Sequence, residues 1–131
     1  AAVDGVAPAM ELIDSRYKDF QFTLNDVVAD NSSASGLVVG AWGSPTQDLS
    51  NLGVVLEVNG RVIETASTAA ILGHPVRALV AAARLAAEAG ETLQPGDIIL
   101  SGGLTAAHTL SPGETVRATL QNLGFVSISI R

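Results

Sequence analysis

Two apolar runs separated by Asn59-Gly60 form the clearest hydrophobic pattern in the chain. The runs read "GVVLEV" and "RVIETAS", and both are rich in Val and Ile. Asn-Gly is the dipeptide that a type I′ hairpin turn prefers, because both of its central residues need a positive φ. The pattern predicts an antiparallel β-hairpin over residues 53–67.

Further strands are predicted on both sides of this hairpin. "PAMELID" and the glycine-bounded "GLVVGAW" are short apolar runs, and Tyr17, Phe20, Phe22 and Leu24 follow an approximate two-residue period typical of a strand. Toward the end of the chain, "DIILSGG" predicts another strand. "ETVRATLQNLGFVSISI" predicts a second hairpin that turns at residues 122–124.

One substantial helix is predicted over "HPVRALVAAARLAAEAGETL". Pro75 suits its first turn, Ala and Leu fill its body, and Gly90 is placed to end it. Arg77, Arg84 and Glu88 share one polar face, which is typical of a solvated side. Strands outnumber helices and hairpins outnumber crossovers, so the sequence predicts an α+β, mainly antiparallel β fold.

Composition narrows the classes of protein that fit. A length of 131 residues predicts a single domain, and a net charge of -6 argues against nucleic acid as the main partner. The chain has no Cys, which excludes disulfides and thiolate metal sites. No signal-peptide layout and no run of about 18 uninterrupted apolar residues is present. We therefore expect a cytoplasmic protein with no membrane partner, and "AAVDGVAPAM" looks like the interior of a longer chain.

Glu11 is an acid inside the apolar run "PAMELID", and it has two interpretations. It is either a solvated acid on an edge strand or a functional carboxylate, a metal ligand or a general base. With no Cys and two His, any metal is expected to be hard and oxygen-bound, such as Mg²⁺ or Mn²⁺. The candidate ligands on residue type alone are Glu11, Asp14, Asp30 and Asn31.

The stretch "ADNSSASG" is rich in acceptors and hydroxyl donors directly before a predicted strand. This loop, which contains Asp30, Asn31 and Ser32, could bind a carboxylate through its Ser hydroxyls and backbone N–H groups. The same residues could instead form an Asx-type turn that binds nothing. The residue types leave both interpretations open.

"SGGLTAAHTLSPG" raises a similar pair of alternatives. Gly102 and Gly103 would let the backbone approach a ligand closely, with Thr105 available as a hydrogen-bond donor. Alternatively, the two glycines form a β-bulge. Neither stretch matches a Walker loop, a dinucleotide fingerprint or a nucleophile elbow.

Several motifs together resemble one known family. "APAMELIDSRY", "VVADNSSASGLVVG", "TAAILGHPVRALVAAARLAAEAGETLQPGDIILSGG" and "LGFVSISI" follow in order the C-terminal half of the 2-oxopent-4-enoate hydratase and 4-oxalocrotonate decarboxylase group. This group belongs to the fumarylacetoacetate hydrolase-like superfamily. The resemblance implies a mixed β-sandwich roll with one divalent cation in an acidic site, so that residues 1–131 are expected to be the C-terminal catalytic portion of a longer chain.

The resemblance also assigns roles to the candidate residues. Glu11 matches the third carboxylate ligand of the family's metal, but the preceding Glu-x-Glu pair and the family's substrate Lys have no counterpart in the sequence. The chain therefore resembles half of an enzyme, which alone is not expected to complete the site. Catalytic roles are implied for Asp30, Asn31 and Ser32, and substrate binding is implied for Ser32, Gly102, Gly103 and Thr105.

The segment "IDSRYKDFQF" resembles the decarboxylase branch of the group more than the hydratase branch. The implied reaction is metal-dependent decarboxylation of 2-oxo-3-hexenedioate (4-oxalocrotonate) to 2-hydroxypenta-2,4-dienoate in aromatic meta-cleavage catabolism. The alternatives are hydration of 2-hydroxypenta-2,4-dienoate and a non-catalytic assembly module. The expected partners are a small 2-oxo dicarboxylate, further copies of the chain in a homo-oligomer, and the sister hydratase.

Overall fold

A computed structural model describes residues 2–131, which form six strands, two α-helices and short 3₁₀ turns. Consecutive side chains of a strand point to opposite faces of the sheet, and residues 53–58 and 115–120 show the resulting alternation of buried and more exposed positions. In chain order the strands and helices are β1 (Ala9–Ile13), α1 (Leu24–Ala29), β2 (Ala34–Val39), β3 (Gly53–Val58), β4 (Arg61–Ser67), α2 (Pro75–Glu88), β5 (Thr115–Leu120) and β6 (Gly124–Ser129).

Two antiparallel sheets pack face to face. Strands β1 and β2 form a two-stranded sheet, and the larger sheet has the order β4-β3-β5-β6. The core lies on the inner face of the larger sheet, where Leu56, Val116 and Val126 are buried. Met10 of β1 and Val38 of β2 pack against this cluster. The predicted α+β, mainly β sandwich is confirmed.

Gly40, directly after β2, lies against Phe125 of β6 and the ring of Pro8. Its backbone N–H donates to the carbonyl of Pro8 at 2.8 Å. A Cβ atom at this position would lie 2.5 Å from the carbonyl oxygen of Phe125 and 2.8 Å from Cγ of Pro8. Any side chain would therefore push the end of β2 away from β6, so the packing of the sheets depends on glycine here.

Both predicted hairpins are present. Asn59 and Gly60 have φ values of 51° and 78°, the positive pair that a type I′ turn needs, and they join β3 to β4. Strands β5 and β6 pair along their whole length and are joined by a turn that contains Asn122 at φ 58°. The sequence thus predicted the turn residues of both hairpins.

The strand predicted from the aromatic alternation is absent: Lys18–Phe20 form a short 3₁₀ turn, and helix α1 begins at Leu24. Thr23 caps this helix, because its hydroxyl accepts from the backbone N–H of Asp26 while the Asp26 carboxylate accepts from the backbone N–H of Thr23. This reciprocal capping box has the sequence signature T-x-x-D. The local capping residues therefore outweighed the period of Tyr17, Phe20 and Phe22.

The strand predicted over "DIILSGG" is also absent, and residues 91–114 contain no helix or strand. A strand requires a neighbour that accepts and donates its backbone hydrogen bonds, and no strand in residues 2–131 lies beside this segment. Ile98, Ile99 and Leu100 remain 50%, 37% and 40% exposed. A loop of this length is uncommon within a compact fold.

Helix α2 confirms the predicted helix and ends before Gly90, although only Pro75 on it is buried. By length and composition, the helical run Thr68–Glu88 is apolar enough to cross a membrane. Its regular α-helical part, Pro75–Glu88, is 14 residues long, which is shorter than the roughly 20 residues that a bilayer core requires. Arg77, Arg84 and Glu88 also lie within it, so an amphipathic helix with a partly uncovered apolar side describes it better.

Replacing Gly40 by Ala is expected to destabilise the fold, because the new methyl group overlaps the Phe125 carbonyl and the Pro8 ring. Overpacking of this kind costs about 1–3 kcal/mol. Gly36→Ala in the same strand is the matched control, since its Cβ would meet nothing closer than 3.7 Å. Urea denaturation checks both variants, and equal stability of the two would contradict the proposed close approach of the sheets.

Candidate functional site

An open cleft of about 2000 Å³ runs between the inner face of the large sheet, helix α2 and the loop of residues 91–114. Glu11 lines this cleft together with Gly102, Gly103 and Thr105. Residues separated by about ninety positions in sequence therefore share one surface. The two glycines leave the backbone of the loop uncovered there, as the ligand-binding interpretation requires.

Glu11 owes its exposure to its position on β1. Its neighbour Met10 packs toward the core, and Glu11 is exposed opposite Leu37 of β2. Asp14, directly after the end of β1, lines the same cleft. In residues 2–131 no group of three or more His, Asp or Glu side chains is arranged to hold a metal ion. Glu11 therefore fits one oxygen ligand of a hard cation, and the described residues do not provide a complete set.

The Asp30 carboxylate is buried and fully engaged by residues of the same chain. Its Oδ1 forms an ion pair with Nε of Arg16, and its Oδ2 accepts from the backbone N–H of Arg16 at 3.1 Å. The hydroxyls of Ser15 and Ser33 also approach Oδ2, at 3.5 and 3.4 Å. Burial opposes ionisation, but the hydrogen bonds and charge from Arg16 and the Ser33 hydroxyl outweigh it and hold the pKa of Asp30 below its ordinary value. A direct contact between Asp30 and substrate stays a prediction.

Asn31, Ser32 and Ser33 form a short left-handed turn between Asp30 and β2. Their φ values are 51°, 54° and 59°, a region that residues with a side chain rarely occupy. Ser33 is buried, whereas Asn31 and Ser32 are exposed. Within residues 2–131 the side chains of Asn31 and Ser32 make no hydrogen bond, so the Ser32 hydroxyl and the Asn31 amide are free to meet a ligand.

The turn lies beside the cleft and not in its lining. The backbone N–H of Asp14 donates to the carbonyl of Ser33 at 2.8 Å, and Ile13 pairs with Ala34 in the β1–β2 ladder. Since Glu11 is on the same strand as Ile13, this ladder sets the position of Ser32 relative to Glu11. The structure thus places Glu11, Gly102, Gly103 and Thr105 on one cleft, and it places the Asp30–Ser33 group against Asp14, which also lines that cleft.

A His–Glu pair on the cleft was missed by the sequence analysis. Nε2 of His108 lies 3.1 Å from Oε2 of Glu114, and the same oxygen accepts from the backbone N–H of Ser111 at 2.9 Å. The Ser111 N–H and the His108 side chain lower the pKa of Glu114. His108 lines the cleft with Thr105. The spacing of Ser111 and Glu114 in "SPGE" is the local signal that could have indicated this turn.

The match of this chain to known proteins defines its family. All of residues 1–131 match the family described as Fumarylacetoacetate (FAA) hydrolase C-terminal. The chain belongs to this family, which confirms the superfamily that its motifs resemble and agrees with the sandwich fold described above.

Within the family the chain is similar to proteins of two named activities. A 4-oxalocrotonate decarboxylase from Pseudomonas sp. is 61% identical over 98% of this chain and 50% of that protein. A 2-keto-4-pentenoate hydratase from Paraburkholderia xenovorans is 38% identical over 95% of this chain and 47% of that protein. The structure of 4-oxalocrotonate decarboxylase from Pseudomonas putida G7, complexed with magnesium and adipate, matches with a TM-score of 0.92 and 43% identity, covering 98% of this chain and 49% of that one. The chain spans about half the length of these relatives.

Asp30→Asn is expected to destabilise the fold by an amount that depends on pH. Because the pKa of Asp30 is lowered on folding, its ionised form contributes stability above the unfolded value of 3.8, and that contribution is lost as the pH falls through the lower folded value. The difference between wild type and Asp30→Asn in urea midpoint should therefore be constant near neutral pH and shrink below about pH 4. Asp4→Asn, at an exposed acid, is the control. A difference that does not change with pH would show that the Asp30 charge contributes nothing.

Proposed function

We propose that this chain is the C-terminal catalytic portion of a metal-dependent decarboxylase, a carbon–carbon lyase that converts 2-oxo-3-hexenedioate (4-oxalocrotonate) to 2-hydroxypenta-2,4-dienoate. One observation carries the proposal. Glu11 shares a cleft with Gly102, Gly103 and Thr105, in a chain 61% identical to a 4-oxalocrotonate decarboxylase. We further propose that the reaction belongs to aromatic meta-cleavage catabolism and takes place in the cytoplasm.

In this proposal Glu11 provides one carboxylate ligand for a divalent cation, Mg²⁺ or Mn²⁺. The Pseudomonas putida G7 decarboxylase binds magnesium in one structure and calcium in another, and both ions prefer oxygen ligands. When bound, such a cation supplies Lewis-acid chemistry at the carboxylate and keto oxygens of a 2-oxo acid. The other ligands would come from a polypeptide equivalent to the first half of the relatives, because residues 2–131 hold no ligand cluster.

The residues of this chain would bind and orient the substrate. Ser32 has an exposed hydroxyl without a partner in residues 2–131, so it can donate to a substrate oxygen, and Asn31 beside it offers an amide. Gly102 and Gly103 leave room for the substrate, and Thr105 offers a second hydroxyl. In the reaction the bond to the far carboxylate breaks, CO₂ leaves, and the electron pair passes through the conjugated chain to the keto oxygen, which takes a proton from water to give the 2-hydroxy product.

The uncovered apolar surface supports the idea that a second polypeptide completes the structure. Val76 and Val80 of α2 are 47% and 63% exposed, and Ile98 and Leu100 in the neighbouring loop are 50% and 40% exposed. Such surface is costly to leave in water, at about 25 cal/mol for each Å². In the complete protein we expect the complementary half to cover these side chains. We also expect it to supply a neighbouring strand whose backbone can pair with that of "DIILSGG".

Two alternatives rest on separate observations. The 38% identical hydratase supports hydration of 2-hydroxypenta-2,4-dienoate as the runner-up reaction. The incomplete ligand set supports a non-catalytic assembly module for the chain by itself.

For the complete protein we also propose a homo-oligomer and a complex with the sister hydratase, which would receive the decarboxylation product directly.

The reaction can be tested in a chimaera in which this chain replaces the matching half of the Pseudomonas sp. decarboxylase. With Mg²⁺ present, the chimaera is expected to release one CO₂ for each 2-oxo-3-hexenedioate consumed and to hydrate 2-hydroxypenta-2,4-dienoate poorly. Removal of the metal with EDTA should abolish the CO₂ release, because the keto oxygen loses its Lewis acid. Manometric CO₂ detection and ultraviolet absorbance follow the two reactions. Rapid hydration without CO₂ would replace the proposed reaction by the hydratase alternative.

A further inference from the structure

The Arg16 side chain contacts both ends of the left-handed turn that carries Ser32. At the start of the turn, Nε of Arg16 pairs with the Asp30 carboxylate, and Nη2 donates to the Asp30 carbonyl. At the end of the turn, Nη1 donates to the carbonyl of Ala34 at 3.3 Å. The same nitrogen donates to the carbonyl of Asp14 at 3.1 Å, which ties the group to the end of β1. One guanidinium therefore bridges β1, the start of the turn and the start of β2.

The turn needs such a restraint because its backbone is strained. Asn31, Ser32 and Ser33 all have φ between 51° and 59°, a left-handed region that residues with a side chain rarely occupy, and three such residues follow one another here. Strained residues persist only where surrounding contacts determine the conformation. A free loop of this sequence would relax and move the Ser32 hydroxyl.

The contacts require the shape of Arg and not only its charge. A guanidinium is a planar fork that donates several hydrogen bonds in different directions, whereas a Lys ammonium is a point charge on a flexible stem. The Arg16 guanidinium contacts four acceptors at once. The Arg16 side chain is 52% exposed, whereas the side chain of its partner Asp30 is 5% exposed. Lys at this position could keep the ion pair but not the contacts at both ends of the turn.

We propose that Arg16 is a positioning residue for Ser32, which it holds in a left-handed turn at the Ile13–Ala34 end of the β1–β2 ladder by joining Asp30, Ala34 and the end of β1. Arg16 does not touch the substrate in this proposal, and Asp30 acts as its buried anchor. The inference rests on the proposed function, because it takes Ser32 to hydrogen-bond a substrate oxygen.

A double-mutant cycle in the chimaera tests the proposal. Ser32→Ala should lower kcat/KM for 2-oxo-3-hexenedioate by about 10-fold or more, as expected for a hydrogen bond to a charged oxygen. Arg16→Lys should lower it by a similar factor. If Arg16 acts through Ser32, the double variant should be within about 2-fold of Ser32→Ala alone, since the two changes remove the same interaction. Arg84→Lys, at an exposed pair with Glu88, is the matched control and should leave kcat/KM unchanged.

Fully multiplicative effects of Arg16→Lys and Ser32→Ala would overturn the proposal, because they would show that Arg16 acts independently of Ser32. Loss of soluble chimaera in both Arg16→Lys and Arg16→Gln would also overturn it and make Arg16 a folding residue.

Calorimetric titration with adipate in the presence of Mg²⁺ separates this inference from the proposed reaction. It measures dicarboxylate binding without turnover. If the chimaera binds adipate but releases no CO₂, the proposed reaction fails while Arg16 is still tested by the same cycle on adipate affinity. The expected result is weaker adipate binding in Arg16→Lys than in the unsubstituted chimaera. The double variant should bind adipate no more weakly than Ser32→Ala alone. Unchanged adipate affinity in Arg16→Lys, or no adipate binding by the unsubstituted chimaera, would overturn the positioning role.

Discussion

Pairing of β1 with β2 is the interaction on which the candidate site depends. The ladder joins Glu11 to Leu37 and Ile13 to Ala34, so it connects the strand that carries the candidate metal ligand to the turn that carries Ser32. The period of a strand is two residues, and a slip of one residue would turn Met10 out of the core and Glu11 into it. The apolar contact of Met10 and Val38 with the large sheet therefore determines which way Glu11 points.

The same packing leaves much of the molecule uncovered. The two-stranded sheet covers part of the inner face of the large sheet, and the rest of that face opens onto the cleft. Helix α2 is amphipathic, but only Pro75 on it is buried, so its apolar side is largely uncovered. A structure that exposes this much apolar surface along its cleft is consistent with a chain that spans half the length of its relatives.

Sequence patterns predicted the parts of the fold that local chemistry determines. Asn59-Gly60 specified its hairpin because its two positive φ values suit few other dipeptides, and Pro75 and Gly90 bracketed α2 correctly. The alternation of Tyr17 to Leu24 wrongly predicted a strand, because the capping box of Thr23 and Asp26 starts helix α1 at Leu24. The strand prediction for "DIILSGG" was wrong for a different reason. Its residue types favour a strand, but no strand in residues 2–131 pairs with it.

The residue types of the candidate site could be predicted from the sequence, but the contacts that hold the Ser32 turn in place could not. Residue chemistry and family resemblance indicated Glu11 and Ser32, and the structure places both next to one cleft or on its edge. The role of Arg16 could not be read from "DSRY", because its acceptors on Asp30 and Ala34 lie fourteen and eighteen residues away and only the fold brings them together. Likewise, nothing in the spacing of Asp30 indicated that its carboxylate would be buried against a guanidinium.

The central claim is that Glu11 is one ligand of a divalent cation whose remaining ligands lie outside this chain. Calorimetric titration with Mn²⁺ tests it on the 131-residue chain, the chimaera and the chimaera with Glu11→Gln, with Asp14→Asn as the control because it removes a charge from the same cleft. Affinity for a hard cation grows with the number of carboxylates, so the account predicts negligible binding by the chain and saturable binding by the chimaera. Glu11→Gln should remove most of that binding, and Asp14→Asn should retain it. Tight binding by the isolated chain, or an unaffected Glu11→Gln chimaera, would contradict the account.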